Sequence, residues 1–84
     1  MNTQPKQIQV QYFAVLREQR GTSQETLNTS AITAKDLYEE LRAKHKFKIA
    51  TELLKVAVNN EFKDWDTKLK PNDSVVFIPP VAGG

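Results

Sequence analysis

The sequence predicts an α+β fold in which a mixed sheet packs against one main helix. Apolar residues alternate along Ile8–Leu16, a capped amphipathic helix is indicated from Thr33, and Val75–Ile78 is an apolar, strand-forming run after a turn. Because strand signals lie on both sides of a single helix signal, sheet and helix are expected to form two layers of one domain.

Length and composition indicate a single small globular domain. The chain has 84 residues, of which 39% are hydrophobic and 26% are charged, and no linker or repeat divides it. The absence of cysteine excludes disulfides, thiolate metal sites and a thiol nucleophile, and it fits a reducing compartment such as the cytoplasm. The net charge of +2 comes from scattered basic residues, so no nucleic-acid partner is expected. No apolar run is long enough to span a membrane.

The first part of the chain is expected to form a hairpin. Residues 1–7 are polar and are expected to fray, whereas Ile8–Leu16 is predicted to be a strand. One face of this strand carries the apolar side chains of Ile8, Val10, Tyr12, Ala14 and Leu16. Arg17–Gly21 is predicted to be a polar turn in which Gly21 can adopt positive φ, and Ser23–Thr29 is predicted to be the second strand.

The main helix has a well-marked start. Thr33 fits the N-cap position, Asp36 occupies the third helical position of a capping box, and Ile32 can pack on Leu37 as a hydrophobic staple. One helical face is then formed by Leu37, Tyr38, Leu41 and His45. The helix is expected to end within residues 44–47.

The second half is expected to supply the remaining strands. Residues 47–54 could form either a short helix or an apolar connection. The strands predicted after them are Lys55–Asn59, a short return segment over residues 62–65, and Ser74–Ile78. Turn chemistry separates these strands at Asn59-Asn60 and again at Lys70–Asp73.

Residues that could catalyse a reaction are sparse. His45 is the only histidine and falls near the predicted helix end, where a protonated ring would interact favourably with the helix dipole. A structural role is therefore favoured over that of a ligand or base. Asp64 and Asp66 could bind a cation, but an acidic turn around Trp65 is the favoured interpretation. The chain by itself is expected neither to be an enzyme nor to bind a metal.

The end of the chain is predicted to be an extended tail. It comprises Pro79, Pro80, Val81, Ala82, Gly83 and Gly84, and is expected to be the true C-terminus. The two prolines cannot donate to a sheet ladder and favour polyproline geometry, so the tail should protrude by roughly 15–20 Å. A narrow segment ending in a bare carboxylate could enter an enclosed site on another protein. There the carboxylate could be activated as an acyl adenylate and then attacked by a nucleophile.

Four stretches of the chain match the pattern of one protein family. They are Phe77–Gly84, Tyr12–Glu18 with the following Gly21, Val56–Asn60 and Leu69–Asp73. In these stretches the chain resembles the small subunits of molybdopterin synthase. The likeness extends from about Gln7 to the end and is weakest over residues 46–54. Ile78 stands where an aromatic residue is common, and Asn72 where glycine is frequent.

The resemblance implies a ubiquitin-like β-grasp fold and a sulfur-carrier role in molybdenum cofactor biosynthesis. It implies that an adenylating enzyme, related to ubiquitin-activating enzymes, uses ATP to activate Gly84, and that sulfur replaces AMP to give a thiocarboxylate. The tail would enter the large subunit of molybdopterin synthase, where sulfur passes to cyclic pyranopterin monophosphate to build the molybdopterin dithiolene. The family also implies a heterotetramer with the large subunit and no cofactor bound by this chain.

A partner-binding surface is predicted from the alternation of side chains along the strands. If Tyr12 faces the helix, Phe13 must point outward, and if Phe77 faces the helix, Ile78 points outward beside the tail. Phe62, just after the Asn59-Asn60 turn, could join them. We therefore predict an interface formed by Phe13, Phe62 and Ile78. The alternative is that loops of the same chain cover Phe13 and Phe62.

Three other functions stay open. A sulfur carrier for thiamine thiazole synthesis would share the Gly-Gly end, although the Pro-Pro-Val run and the first-strand motif favour molybdopterin. A ubiquitin-like modifier would be adenylated in the same way but joined to protein lysines. An interaction module with an inert tail would keep its function without Gly84, which distinguishes it from a carrier.

Overall fold

The computed structural model describes residues 5–79, which form five strands, two α-helices and one short 3-10 helix. In chain order these elements are β1 (Lys6–Tyr12), α1 (Ala14–Arg20), β2 (Gln24–Thr29), α2 (Ala34–His45), the 3-10 helix (Thr51–Leu53), β3 (Lys55–Val58), β4 (Glu61–Lys63) and β5 (Ser74–Ile78). The predicted α+β class, with α2 as the main helix, is confirmed. Over the same residues, no helix has the length and apolar character needed to cross a membrane.

All the strands join one mixed sheet in the order β2-β1-β5-β3-β4. β1 and β5 pair in parallel, whereas β1 with β2, β5 with β3, and β3 with β4 pair antiparallel. β5 is therefore an inner strand with a neighbour on each side. The chain beyond Ile78 leaves from the middle of the sheet rather than from an edge.

The hydrophobic core lies between α2 and one face of the sheet. From α2, the buried side chains are those of Ala34, Leu37, Tyr38 and Leu41. From the sheet, they are those of Ile8, Val10, Tyr12, Val56, Val58, Val75 and Phe77. The rings of Tyr38 and Phe77 meet edge to face with centroids 5.2 Å apart. The alternation predicted for β1 and β5 is confirmed, because every second residue of each strand is buried.

The predicted start of the main helix is confirmed by its hydrogen bonds. The Asp36 N–H donates to Thr33 Oγ1 at 3.1 Å, and the Thr33 N–H donates to Asp36 Oδ2 at 3.2 Å. α2 ends at His45, within the predicted range, and Lys46 caps it with φ of 60°. Ile32, expected to pack on Leu37, is 47% exposed.

The prediction of a strand continuing to Leu16, followed by a turn over Arg17–Gly21, is wrong. β1 ends at Tyr12, and Ala14–Arg20 form α1. Residues of this segment are mostly good helix formers, and a short apolar pattern cannot distinguish the two structures. Gly21 does adopt positive φ, at 86°, and its N–H donates to the Arg17 carbonyl at 2.9 Å to close the helix.

The ends of several other elements differ from those predicted. Lys6 and Gln7 pair with Thr29 and Asn28, so fraying is a wrong prediction for these two residues, while residues 1–4 lie outside the described range. The ambiguous segment 47–54 buries Phe47 and Leu54 and contains only one turn of 3-10 helix.

The predicted turn between β3 and β4 is confirmed. Asn59 and Asn60 have φ of 54° and 72°, so both are left-handed, as a tight hairpin turn requires. β4, predicted over residues 62–65, is Glu61–Lys63.

Candidate functional site

An apolar patch covers part of the sheet face that points away from α2. Its residues line one shallow groove of about 280 Å³ and comprise Phe13, Ala57, Phe62, Val76 and Ile78, with Gln11 and Asn60 at the margin. We call this surface the outer patch. Phe13 is 42% exposed and Phe62 is 69% exposed, so within residues 5–79 no loop covers them. The structure thus brings together all three residues predicted to form an interface.

The outer patch follows from the strand register. Val76 of β5 pairs with Gln11 on one side and with Ala57 on the other, and Ala57 pairs with Phe62. Because Val56, Val75 and Phe77 are buried on the helix side, their strand neighbours must face outward. These pairings produce a continuous row across four strands, level with the middle of β5.

Phe13 reaches the outer patch because its backbone continues β1 by one residue before the chain changes direction. Its own backbone is extended, with φ of −125° and ψ of 153°, and its carbonyl accepts the Leu16 N–H at 3.1 Å. The next residue, Ala14, has φ of 53°, in the left-handed region that residues other than glycine rarely adopt. β1 therefore stops at Tyr12, and the side chain of Phe13 lies in the same groove as Ile78.

The predicted tail begins at the rim of the outer patch. Ile78, the last residue of β5, is half-buried, and Pro79 is buried. The rest of the predicted tail, including the predicted reactive group, lies outside the described residues: Pro80, Val81, Ala82, Gly83 and Gly84.

A polar cluster formed by Tyr12, Arg20 and Glu25 holds the end of α1 against β2. Glu25 accepts hydrogen bonds from Tyr12 Oη at 2.6 Å, from Arg20 Nε at 2.9 Å and from Arg20 Nη2 at 2.6 Å. The bond from Arg20 lowers the pKa of Glu25, while burial raises the pKa of Tyr12 well above its ordinary value. All three groups therefore keep one protonation state near neutral pH, which suits a structural role. No sequence motif indicates this cluster.

His45 and Asp64 have structural environments. Burial, followed by the positive charge of Arg20, lowers the pKa of His45 from its ordinary value, which disfavours the protonated ring that would interact with the helix dipole. Its ring lies 5.7 Å from that of Phe47. Asp64 begins a turn in which its carbonyl accepts the Thr67 N–H at 3.1 Å. Within residues 5–79, no three histidine or acidic side chains are grouped as a metal site requires.

Comparisons with known proteins identify a family and a named relative. The profile of the ThiS family matches residues 10–84. The molybdopterin synthase sulfur carrier subunit of Haemophilus influenzae is 34% identical over 80 residues, which cover 92% of this chain and 99% of that protein.

Two solved structures extend this similarity to the fold. A Pyrococcus furiosus protein described as molybdopterin converting factor subunit 1 has a TM-score of 0.76 and 30% identity, over 90% of this chain and 99% of that one. A chain from the complex of subunits 1 and 2 of the Helicobacter pylori molybdopterin-converting factor has a TM-score of 0.63 and 28% identity. That match covers 93% of this chain and 99% of the other.

Proposed function

The chain belongs to the ThiS family and has its ubiquitin-like β-grasp fold, and from that premise we propose that it is the sulfur carrier subunit of a molybdopterin synthase. The Haemophilus relative that bears this name aligns with almost the whole chain. The Pro-Pro-Val-Ala-Gly-Gly end, which the family profile includes, supplies the group that a carrier needs.

The observation that best supports a carrier role is the position of Ile78. This residue belongs to the outer patch and also ends the inner strand β5, directly before the tail. A protein that lies against the outer patch would therefore meet the start of the tail at a fixed point. Such positioning of a reactive group is what a carrier contributes to catalysis.

The proposed chemistry takes place on the carboxylate of Gly84. An adenylating enzyme transfers AMP from ATP to this carboxylate and releases pyrophosphate. A sulfur donor then displaces AMP, leaving a thiocarboxylate on Gly84. The sulfur passes to cyclic pyranopterin monophosphate in the large subunit, and water cleaves the acyl–sulfur bond and supplies the oxygen that restores the carboxylate. Two such deliveries build the dithiolene. ATP is thus consumed by the activating enzyme, and this chain holds no cofactor of its own.

The proposed docking surface for the large subunit is the outer patch. The Helicobacter relative is known in complex with subunit 2 of its converting factor. Complete burial of Phe13, Phe62 and Ile78 would contribute about 5–9 kcal/mol, and the part already buried reduces this figure. Association costs about 4–15 kcal/mol, so the outer patch alone binds weakly and the inserted tail must add affinity. Because Pro79 is buried in the domain, the inserted part is the chain that follows it. We expect a heterotetramer with the large subunit, in the cytoplasm.

The test is an intact mass of the protein after incubation with ATP, an adenylating enzyme and a sulfur donor. The proposed function predicts a gain equal to the difference between the atomic masses of sulfur and oxygen. A variant lacking Gly84 is the control and should show no gain. Addition of the large subunit and cyclic pyranopterin monophosphate should return the mass to its starting value.

Other outcomes would identify other functions. An unchanged mass with every component present would contradict the carrier role. Conjugates to protein lysines that persist under denaturing conditions would indicate a modifier. Return of the starting mass only with enzymes of thiazole synthesis would indicate a carrier for thiamine.

A further inference from the structure

A second groove, of about 540 Å³, adjoins the outer patch and shares Phe62 with it. It is lined by Leu54, Lys55, Val56, Phe62, Lys63, Asp64 and Trp65. We call it the tryptophan groove. It lies where the hairpin of β3 and β4 opens, since the pairing of these strands stops at Val56 and Lys63. Its apolar lining continues the outer patch around the edge of the sheet.

Trp65 forms a rigid wall of this groove. Its carbonyl accepts the Lys35 N–H at 2.9 Å, which attaches the backbone to the first turn of α2. Its ring stacks on that of Phe77 with centroids 6.0 Å apart and planes 9° apart, and it lies 5.8 Å from the ring of Tyr38. A half-buried aromatic ring already fixed by its neighbours loses little entropy when a ligand covers it.

The charges at the groove leave Lys55 available. Lys63 Nζ lies 3.2 Å from Glu61 Oε1 in an exposed ion pair, so Lys63 already has an acidic partner. Asp64 also lines the groove but forms no ion pair with Lys55. Lys55 is exposed and has no ion pair with any residue in the described part of the chain. Lys55 lines the tryptophan groove and pairs with Ile78 across β3 and β5, so this residue adjoins both the groove and the strand that ends at the tail.

We propose that the tryptophan groove docks a segment of the large partner subunit that sets an apolar side chain against Trp65 and a carboxylate against Lys55. The inference rests on the proposed function and deepens it. A stable interface buries about 800 Å² on each partner, more than the few side chains of the outer patch provide. The tryptophan groove is the apolar surface that continues the patch without a gap. Its cation calls for an acidic residue on the partner.

The experiment uses the full chain labelled with fluorotryptophan and observed by fluorine NMR. Trp65 is the only tryptophan, so the carrier contributes a single resonance that reports on the groove. On saturation with the unlabelled large subunit, we expect this resonance to shift. It should also be broadened less by a soluble paramagnetic relaxation agent. An unchanged resonance at saturation would overturn the proposal.

A charge reversal tests the second contact. Lys55→Glu should weaken binding of the large subunit roughly tenfold or more, with a smaller salt dependence, because attraction becomes repulsion. Lys6→Glu is the matched control, since Lys6 lies at the opposite end of the sheet and the net charge changes equally. It should bind within roughly twofold of the parent. Equal effects of the two substitutions would contradict the role of Lys55.

The other occupants of the groove give distinct results. If the chain's own tail fills it, a variant ending at Pro79 will shift the Trp65 resonance without any partner, and the proposal fails. If a second copy fills it, the resonance will move with concentration of the carrier alone, and the proposal also fails. Normal thiocarboxylate formation and tight binding with a silent Trp65 would refute only this inference. Failure of both thiocarboxylate formation and binding to the large subunit would refute the proposed function.

Discussion

Ala14 is the residue at which the chain turns from β1 into α1, directly after Phe13 of the outer patch. Its φ of 53° separates β1 from α1 and leaves Phe13 beside Ile78 in the outer patch. Within residues 5–79, the other non-glycine residues with a left-handed backbone are Lys46, Asn59, Asn60 and Asn72. Asparagine tolerates this region better than alanine does. The cost for alanine is about 1–2 kcal/mol.

Ala14→Gly should therefore raise the free energy of unfolding by up to about 1 kcal/mol, because relief of strain exceeds the added entropy of the unfolded chain. Urea denaturation followed by circular dichroism measures the change. Ala43→Gly is the control, since Ala43 is exposed within α2 and glycine there should cost about 1 kcal/mol. Equal losses in both variants would show that Ala14 carries no strain.

Glu25 should make stability depend on pH. Its pKa is lowered in the folded state by the hydrogen bond from Arg20, so the ionised form favours folding. This contribution is complete above the ordinary value of 4.5 and is lost as the pH falls through the lower folded pKa. Glu25→Gln should lower the free energy of unfolding by about 1–2 kcal/mol at pH 7, and by progressively less as the pH falls.

The matched control for Glu25 is Glu39→Gln. Glu39 is exposed on α2 and reaches Arg42 only at 3.9 Å, so its substitution should change stability little at any pH. Parallel curves of unfolding free energy against pH for the parent and Glu25→Gln would contradict the assigned role of Glu25.

At the level of elements, the capping box of α2 should have a measurable effect. Thr33→Ala removes the acceptor for the Asp36 N–H and should lower the free energy of unfolding by about 1 kcal/mol. Lys35→Ala, at an exposed position in the same turn, should be close to neutral. A neutral Thr33→Ala would mean that water replaces the lost hydrogen bond.

Elements with strong local signals could be predicted from the sequence, and the others could not. The capping box, the Asn59-Asn60 turn and the apolar run of β5 each have a short-range physical cause. α1 was missed because Leu16 is buried in either a helix or a strand, and nothing local required the left-handed backbone at Ala14. The outward position of Phe13 was still predicted, because its extended backbone continues the alternation of β1 by one residue.

One part of the candidate site could be predicted from the sequence and the other could not. The outer patch could be predicted because side-chain alternation alone puts Ile78 and Val76 on the opposite face from Phe77. The tryptophan groove could not, since it depends on where β3 and β4 separate and on the bond from Lys35 to Trp65. Both are tertiary features with no signature in a short stretch of sequence.

For the molecule as a whole, one exposed face is expected to bind the large subunit while the opposite layer only supports it. Phe13→Lys should raise the dissociation constant roughly tenfold or more, because burying a phenylalanine is worth about 1.5–3 kcal/mol. Calorimetric titration measures this change, and the circular dichroism spectrum should stay that of the parent.

Ile32→Lys is the control for the binding face. Ile32 is exposed to a similar degree, 47% against 42%, but lies at the start of α2. Its replacement should leave the dissociation constant within roughly twofold. Unfolding of Phe13→Lys would place Phe13 in the core, and equal weakening by Ile32→Lys would move the interface away from the outer patch.

The inner position of β5 also has a mechanical consequence. Traction applied beyond Ile78 acts along β5, while ladders to β1 and β3 run across it on both sides. Such a force must break many of the hydrogen bonds between strands at the same time rather than one after another. An enzyme that binds the end of the chain can therefore pull on it while the domain stays folded.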